Sequence, residues 1–168
     1  MKIVVCMKET PSTTAEKRFG PDMRLDRRKE EAIINPFDEY TIEEGLRQQE
    51  KHAGSESIVL TMGPATGVDT IRKALAMGAD RGMLVSDPAL AGSDAVGTAR
   101  VLVAALKKLE FDVALFGSAA ADAYGGVVPA MVAELLGMPL LSYASKLDVE
   151  GSAGREFLLV VRQLAVRE

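Results

Sequence analysis

Residues 57–86, SIVLTMGPATGVDTIRKALAMGADRGMLVS, decide the fold. Ser57 to Met62 is an apolar run that reads as a strand, and Gly63-Pro64 ends it. From about Thr66 to Met77 the pattern turns helical. Val68, Ile71 and Leu75 stand at i, i+3 and i+7, and Gly78 then offers a C-cap. Gly82 to Ser86 returns to strand. A strand, a helix and a strand joined by short connections are the unit of a parallel sheet covered by helices.

The same alternation extends in both directions. Ile3 to Met7 is a short apolar run between Lys2 and Lys8, read as a buried first strand. Residues 9 to 34, with Pro11, Gly20 and Pro21, read as a long irregular connection of the kind that is often functional. Within it the charge run Asp26-Arg27-Arg28-Lys29-Glu30-Glu31 reads as a solvated face. Asn35-Pro36 opens a helix to about Lys51: Asn is a preferred N-cap, Pro suits N1, and Asp38 and Glu39 place negative charge near the positive helix end. Its apolar stripe is thin (Tyr40, Ile42, Leu46), which leaves a side for solvent or a partner.

Downstream, Ser93 caps a helix carrying Ala99, Leu102, Val103, Leu106 and Leu109. Asp112 to Gly117 is a strand, about Gly126 to Leu136 a helix, and Pro139-Leu140-Leu141 leads into a fifth strand. Residues 1–143 therefore read as a three-layer α/β core on a mostly parallel sheet. Residues 144–168 read as an antiparallel strand extension of the same domain, with Ser145–Val149 paired to Arg155–Gln163 around Glu150–Gly154. Ligands in such sheets bind beyond the carboxyl ends of the strands, here near Cys6-Met7-Lys8, Met62-Gly63-Pro64 and Gly117-Ser118-Ala119.

Composition narrows the function classes. The 168 residues are 48% hydrophobic and 26% charged, with 5% aromatics and no Trp, so aliphatic side chains must fill the core. A net charge of −4 lacks the basic surplus of a duplex binder, and nucleic acid is not expected. No apolar run approaches the roughly 20 residues of a spanning helix, so no membrane insertion is expected. The single Cys6 fits a reducing compartment, and the strand-like opening suggests no signal peptide; a cytoplasmic location is the expectation.

For chemistry, strand one is not followed by GxGxxG, and no phosphate-binding GxxxxGK[ST] motif occurs. Glycines gather instead in Gly117-Ser118-Ala119-Ala120-Ala121-Asp122-Ala123-Tyr124-Gly125-Gly126-Val127-Val128. This loop follows a strand and feeds a helix, where small side chains let backbone N–H groups approach a phosphate. The same composition also serves a tight connection whose glycines only relieve crowding. Asp122 is placed to cap or to take a sugar hydroxyl or adenine amine. The acids show no spacing that sets a general acid opposite a base, and Cys6 has no histidine partner. One Cys and one His, His52, do not make a structural zinc site. No catalytic residue and no metal ligand is expected.

IVVCMKETP (3–11), NPFDEYTIEEGLR (35–47), VLTMGP (59–64), TIRKALAMGADRGMLVSD (70–87) and MVAELLGMP (131–139) together resemble, in order and spacing, the beta subunit of electron transfer flavoproteins. The resemblance implies a Rossmann-like adenine-nucleotide-binding domain similar to that of universal stress proteins. It implies an alpha-subunit partner with which FAD is held, electrons received from flavin-dependent dehydrogenases, and delivery to a quinone-reducing oxidoreductase. It also implies an AMP, regarded as structural, in the beta subunit itself.

Carried over by position, that site comprises Cys6 after strand one, Asn35, Pro36, Phe37 and Asp38 at the helix start, and Met62 after strand two. Gly117, Asp122, Tyr124, Gly125, Gly126, Val127 and Val128 complete it. Cys6 and Met62 would pack on adenine or ribose, Asn35 and Asp122 would offer polar contacts, and backbone N–H groups from Tyr124 to Val128 would take the phosphate. Ser118 and Ala119 stand where the family usually has a basic residue and Gln, and Val127 where it has a polar Gln, so the loop would rely on backbone donors. The resemblance further implies a dehydrogenase-recognition loop near Leu90; beta subunits of the family usually continue into a segment that wraps the alpha subunit, so this sequence is either a fragment or a shortened relative. Two alternatives stay open: a stand-alone nucleotide-binding regulatory module, and a bifurcating flavoprotein subunit carrying a second FAD.

Overall fold

The computed structural model describes residues 1–27, 32–149 and 157–161. β1 (Lys2–Cys6) pairs in parallel with β4 (Glu56–Met62) on one side and β6 (Val113–Gly117) on the other. β5 (Arg81–Val85) extends the sheet beyond β4. β8 (Phe157–Val161) lies beside β6, and β7 (Leu140–Ala144) closes that edge, giving the order β5-β4-β1-β6-β8-β7, every pair parallel.

Helices cover both faces of the central strands β1, β4 and β6, which is why these run largely apolar rather than alternating, while β5 and β7 towards the edges are partly exposed. Val4, Cys6, Ile58, Leu60, Ala114 and Phe116 face α3 (Ala95–Leu109) and α4 (Val128–Leu136). Ile3, Val5, Val59, Val113 and Leu115 face α1 (Pro36–Lys51) and α2 (Val68–Met77). Successive strand residues thus enter opposite cores, as the two-residue period requires.

Local signals were legible with small shifts. Gly78 ends α2 at φ 125°, while a 3₁₀ turn over Ala65–Gly67 precedes it. The cap of α3 is Asp94 rather than Ser93: its carboxylate accepts from the Gly97 N–H at 2.7 Å. The long connection 9–34 contains an antiparallel pair, β2 (Glu9–Pro11) with β3 (Ala32–Ile34). Leu90, expected on a recognition loop, is half-buried at the end of a 3₁₀ turn.

The expected antiparallel extension is corrected. Phe157–Val161 pairs in parallel with both β6 and β7 inside the main sheet. Its sequence, FLLVV, has no polar alternation, which suits a strand with neighbours on both sides better than a hairpin with one wet face. Ser145–Val149 is not a strand. Leu147 is buried on the α1 side, where the Gln48 amide donates to its carbonyl at 2.8 Å and to Glu44 at 2.7 Å. That buried polar pair explains the thin apolar stripe of α1: the helix face is covered by this chain, through polar contacts that hydrophobic periodicity does not register. The turn expected at Glu150–Gly154, Arg155 and the stretch Arg162–Glu168 lie outside the described residues.

Candidate functional site

From β1 the chain proceeds through α1 to β4 on one side, and β6 lies on the other, so strand order reverses between β1 and β6. A crevice opens at such a reversal beyond the carboxyl ends of the strands. The ends here are Cys6 and Gly117, and the start of α1 is held between them.

Asn35 occupies the N-cap position of α1 but makes no side-chain cap bond. Its amide reaches across instead, donating to the Ala119 carbonyl at 2.7 Å and accepting from the Ala121 N–H at 3.0 Å. One buried side chain therefore fixes the start of the glycine-rich loop. Asp38, also buried, accepts from the Lys8 N–H at 2.7 Å and from the Gly117 N–H, joining the ends of β1 and β6. Gly117 has no room for a side chain: a Cβ would overlap the Asp38 carboxylate and lie 3.0 Å from the Phe37 carbonyl carbon.

The expected residues Cys6, Asn35, Phe37, Asp38, Gly117, Asp122 and Tyr124 converge on this crevice. Phe37 and Tyr124 meet edge to face with ring centres 5.8 Å apart, and Tyr124 adopts a left-handed backbone, φ 53°. Pro36 is at N1 as expected. Gly125 has open space where a Cβ would stand, Gly126 turns through φ 62°, and Val127 precedes Val128 at the start of α4. Met62 ends β4, the strand beside β1, and packs against the α3 side of the core.

Burial decides the electrostatics. It pushes the Cys6 thiol well above its ordinary range, with the Asp38 carboxylate adding to the shift, so the thiol stays protonated. Burial also raises Asp38 to about 7, against the pull of the Lys8 N–H, Asn35, the Lys8 charge and the Gly117 N–H. The sign follows from linkage. Between about pH 4 and 7 the native state holds a proton that the unfolded chain has released, so this group makes stability fall as pH rises through that window and stay level above it. Urea unfolding from pH 4.5 to 7.5 should show that downward component in the parent and a flatter profile in Asp38→Asn. Parallel profiles would remove Asp38 as its source.

Asp122 is not open to a ligand as the sequence suggested. Its side chain is 0% exposed, and it pairs with Lys8 Nζ at 2.9 Å and with the Arg27 guanidinium. Burial would push its carboxyl up, but the two cations outweigh that and hold it below the usual carboxylate range. Lys17 Nζ donates to the neighbouring Ala121 carbonyl at 3.2 Å. Lys8, Lys17 and Arg27 were not singled out from sequence; Arg27 belonged to the run read as a solvated face. The signal available was Lys8, a lysine two residues beyond the carboxyl end of a buried strand. Segment 8–27 thereby crosses the carboxyl edge of the sheet, with Arg24 resting on Gly92 beyond β5. Among the described residues no three His, Cys, Asp or Glu side chains cluster as a metal site. No described helix is long and apolar enough to cross a membrane.

A helix-covered parallel sheet with a polar crevice at its strand-order reversal defines a doubly wound α/β protein of Rossmann-like type. The chain belongs to the electron transfer flavoprotein domain family, whose model matches residues 22–166. It is 39% identical over 155 residues to the electron transfer flavoprotein subunit beta of Mycobacterium tuberculosis (strain ATCC 25618 / H37Rv), covering 89% of this chain and 58% of that protein. Identity to the subunit of the same name from Clostridium acetobutylicum is 38% over 152 residues, covering 90% and 58%. The caffeyl-CoA reductase-Etf complex subunit CarD of Acetobacterium woodii is 35% identical over 151 residues, covering 89% and 58%. The chain thus spans less than two thirds of the length of these curated relatives.

Proposed function

We propose that this chain acts in a two-subunit electron carrier, in which FAD is held with an alpha subunit and the crevice between β1 and β6 holds AMP as a structural ligand. Electrons would enter from flavin-dependent dehydrogenases and leave to a quinone-reducing oxidoreductase. The observation that carries the nucleotide reading is the glycine-rich loop fixed by Asn35 at the strand-order reversal, with small residues and open space ahead of α4. The residues fit an adenylate: apolar Cys6 and Met62 near strand ends, and unencumbered backbone at Gly125 and Gly126 for a phosphate. The family membership supports the electron-carrier reading.

Bound AMP stabilises the native state by linkage, since the unfolded chain has no site for it. Gly126→Val puts a β-branched side chain where φ is positive, on the backbone that approaches the phosphate. Expression of the full gene product with its alpha subunit, followed by nucleotide extraction, should recover FAD and AMP from the parent. The variant should keep FAD, lose AMP and melt at lower temperature. AMP at parent occupancy in Gly126→Val would refute the phosphate assignment, and failure to recover FAD with any partner would refute the electron-carrier role.

A second reading is favoured by two relatives whose names place them with caffeyl-CoA reductase and acryloyl-CoA reductase. In it the crevice holds a second FAD. The same extraction separates them, because two FAD and no AMP per pair would select it. A stand-alone regulatory module would instead bind adenine nucleotide as a homodimer without any FAD partner.

A further inference from the structure

The glycine-rich loop has the wrong charge for the ligand proposed above. From Gly117 to Val128 its only charged side chain is Asp122. Backbone N–H groups provide hydrogen bonds to a phosphate but no net charge, and a dianion placed beside an uncompensated carboxylate is repelled. Countercharge must come from other segments, and two of them supply it. Lys8, just beyond β1, and Arg27, at the end of the crossing segment, both converge on Asp122.

The exposures within this triad settle which groups a ligand meets. The Asp122 side chain is 0% exposed, whereas those of Lys8 and Arg27 are 44% and 47% exposed. The carboxylate is sealed behind the two cations, and the open side of the cluster is cationic. The triad itself carries +1, from one lysine, one arginine and one aspartate, while Glu9 on β2 stands near Arg27 as a further acid. Surface ion pairs between mobile side chains contribute little, but here a buried carboxylate holds both cations at a fixed place and the pre-ordering is already present before a ligand arrives. Lys17, on the Ala121 carbonyl, adds further positive charge at the same turn.

We infer that Lys8 and Arg27, backed by the sealed Asp122, are the side chains that read the anionic group of the ligand, selecting a nucleoside phosphate over the uncharged nucleoside. This rests on the nucleotide reading of the crevice and adds the charged half of recognition to the neutral backbone half at Gly125–Val128. Asp122 then touches the two cations and not the sugar or base, contrary to the expectation from sequence.

Calorimetric titration of the chain with AMP and with adenosine, at low and at raised salt, tests it. The parent should prefer AMP, with the preference shrinking as salt rises. Lys8→Met and Arg27→Met should each cut the AMP-to-adenosine affinity ratio about tenfold, the worth of a hydrogen bond to a charged group. Adenosine affinity itself should not change, which also certifies that the variants are folded. Lys107→Met, in the last turn of α3 at the opposite edge of the sheet, should leave the ratio intact. Asp122→Asn should leave adenosine affinity at the parent value. A ratio unchanged in both cation variants, or a loss of adenosine affinity in Asp122→Asn, would overturn the inference while the nucleotide reading stands. No binding of either compound by the parent would remove the reading and the inference together.

Discussion

Gly117→Ala is expected to destabilise this protein by about 2–3 kcal/mol, a loss typical of overpacking a closed site. For a chain of this size that is a drop in melting temperature of roughly 5–10 °C. The reason is geometric. The added methyl would overlap the Asp38 carboxylate and stand 3.0–3.1 Å from the Phe37 carbonyl group, which is backbone at the start of α1 and cannot turn away as a side chain can. Asp38 cannot yield freely either, since it holds the Lys8 N–H and the Gly117 N–H. Relief requires α1 to move away from the end of β6, which opens the crevice. Thermal and urea unfolding of the parent and variant would measure the effect, and a loss under about 0.5 kcal/mol would mean that the contact relaxes at little cost.

The position of that contact explains how much could be read in advance. Hydrophobic period and turn chemistry place α1, α2 and the strands β1, β4, β5 and β6, because each buries an apolar face whose spacing is written along the chain. The carboxyl-edge location of the site follows from the alternation of strands and helices alone. What sequence pattern does not reveal is which polar groups meet across the crevice. Asn35 looked like a helix cap because it precedes Pro36, and its backbone does sit at the cap position. Its side chain is used 84 and 86 residues away, on a loop whose approach depends on the whole sheet. Lys8 and Arg27 meet at Asp122 across separations of 114 and 95 residues, and no local period encodes such a meeting.

The same limit accounts for Phe157–Val161. Hairpin reading relied on a glycine-bearing connection between two runs, a local signal. The strand's place between β6 and β7 rests instead on parallel pairing with strands distant in sequence, and Leu147, just past β7, is held by Gln48 of a helix far upstream. The antiparallel pair formed elsewhere, at Glu9–Pro11 and Ala32–Ile34, within a stretch whose Pro11 argued against a central strand. A two-stranded ribbon has only edges, so Pro is admissible there.

Asn35→Ala should be the second large loss, roughly 2–4 kcal/mol, because it leaves two backbone groups of the loop without their partners. Ala121 is 3% exposed, so its N–H has no easy recourse to water once the Asn35 oxygen is gone. The Ala119 carbonyl loses its 2.7 Å donor at the same time. The effect should be local in amide exchange, with the Ala121 N–H losing protection while the amides of β4 keep theirs. Nucleotide retention should fall with it, since the loop that presents Gly125 and Gly126 is anchored at this end. Asn35→Ser separates loop anchoring from helix capping. Serine is an N-cap as good as asparagine, but its single hydroxyl on a shorter side chain cannot make both long-range bonds. If capping were the role, serine would restore stability to within a few tenths of a kcal/mol of the parent. If Asn35 anchors the loop, the serine variant should remain nearly as unstable as the alanine one and should retain as little AMP.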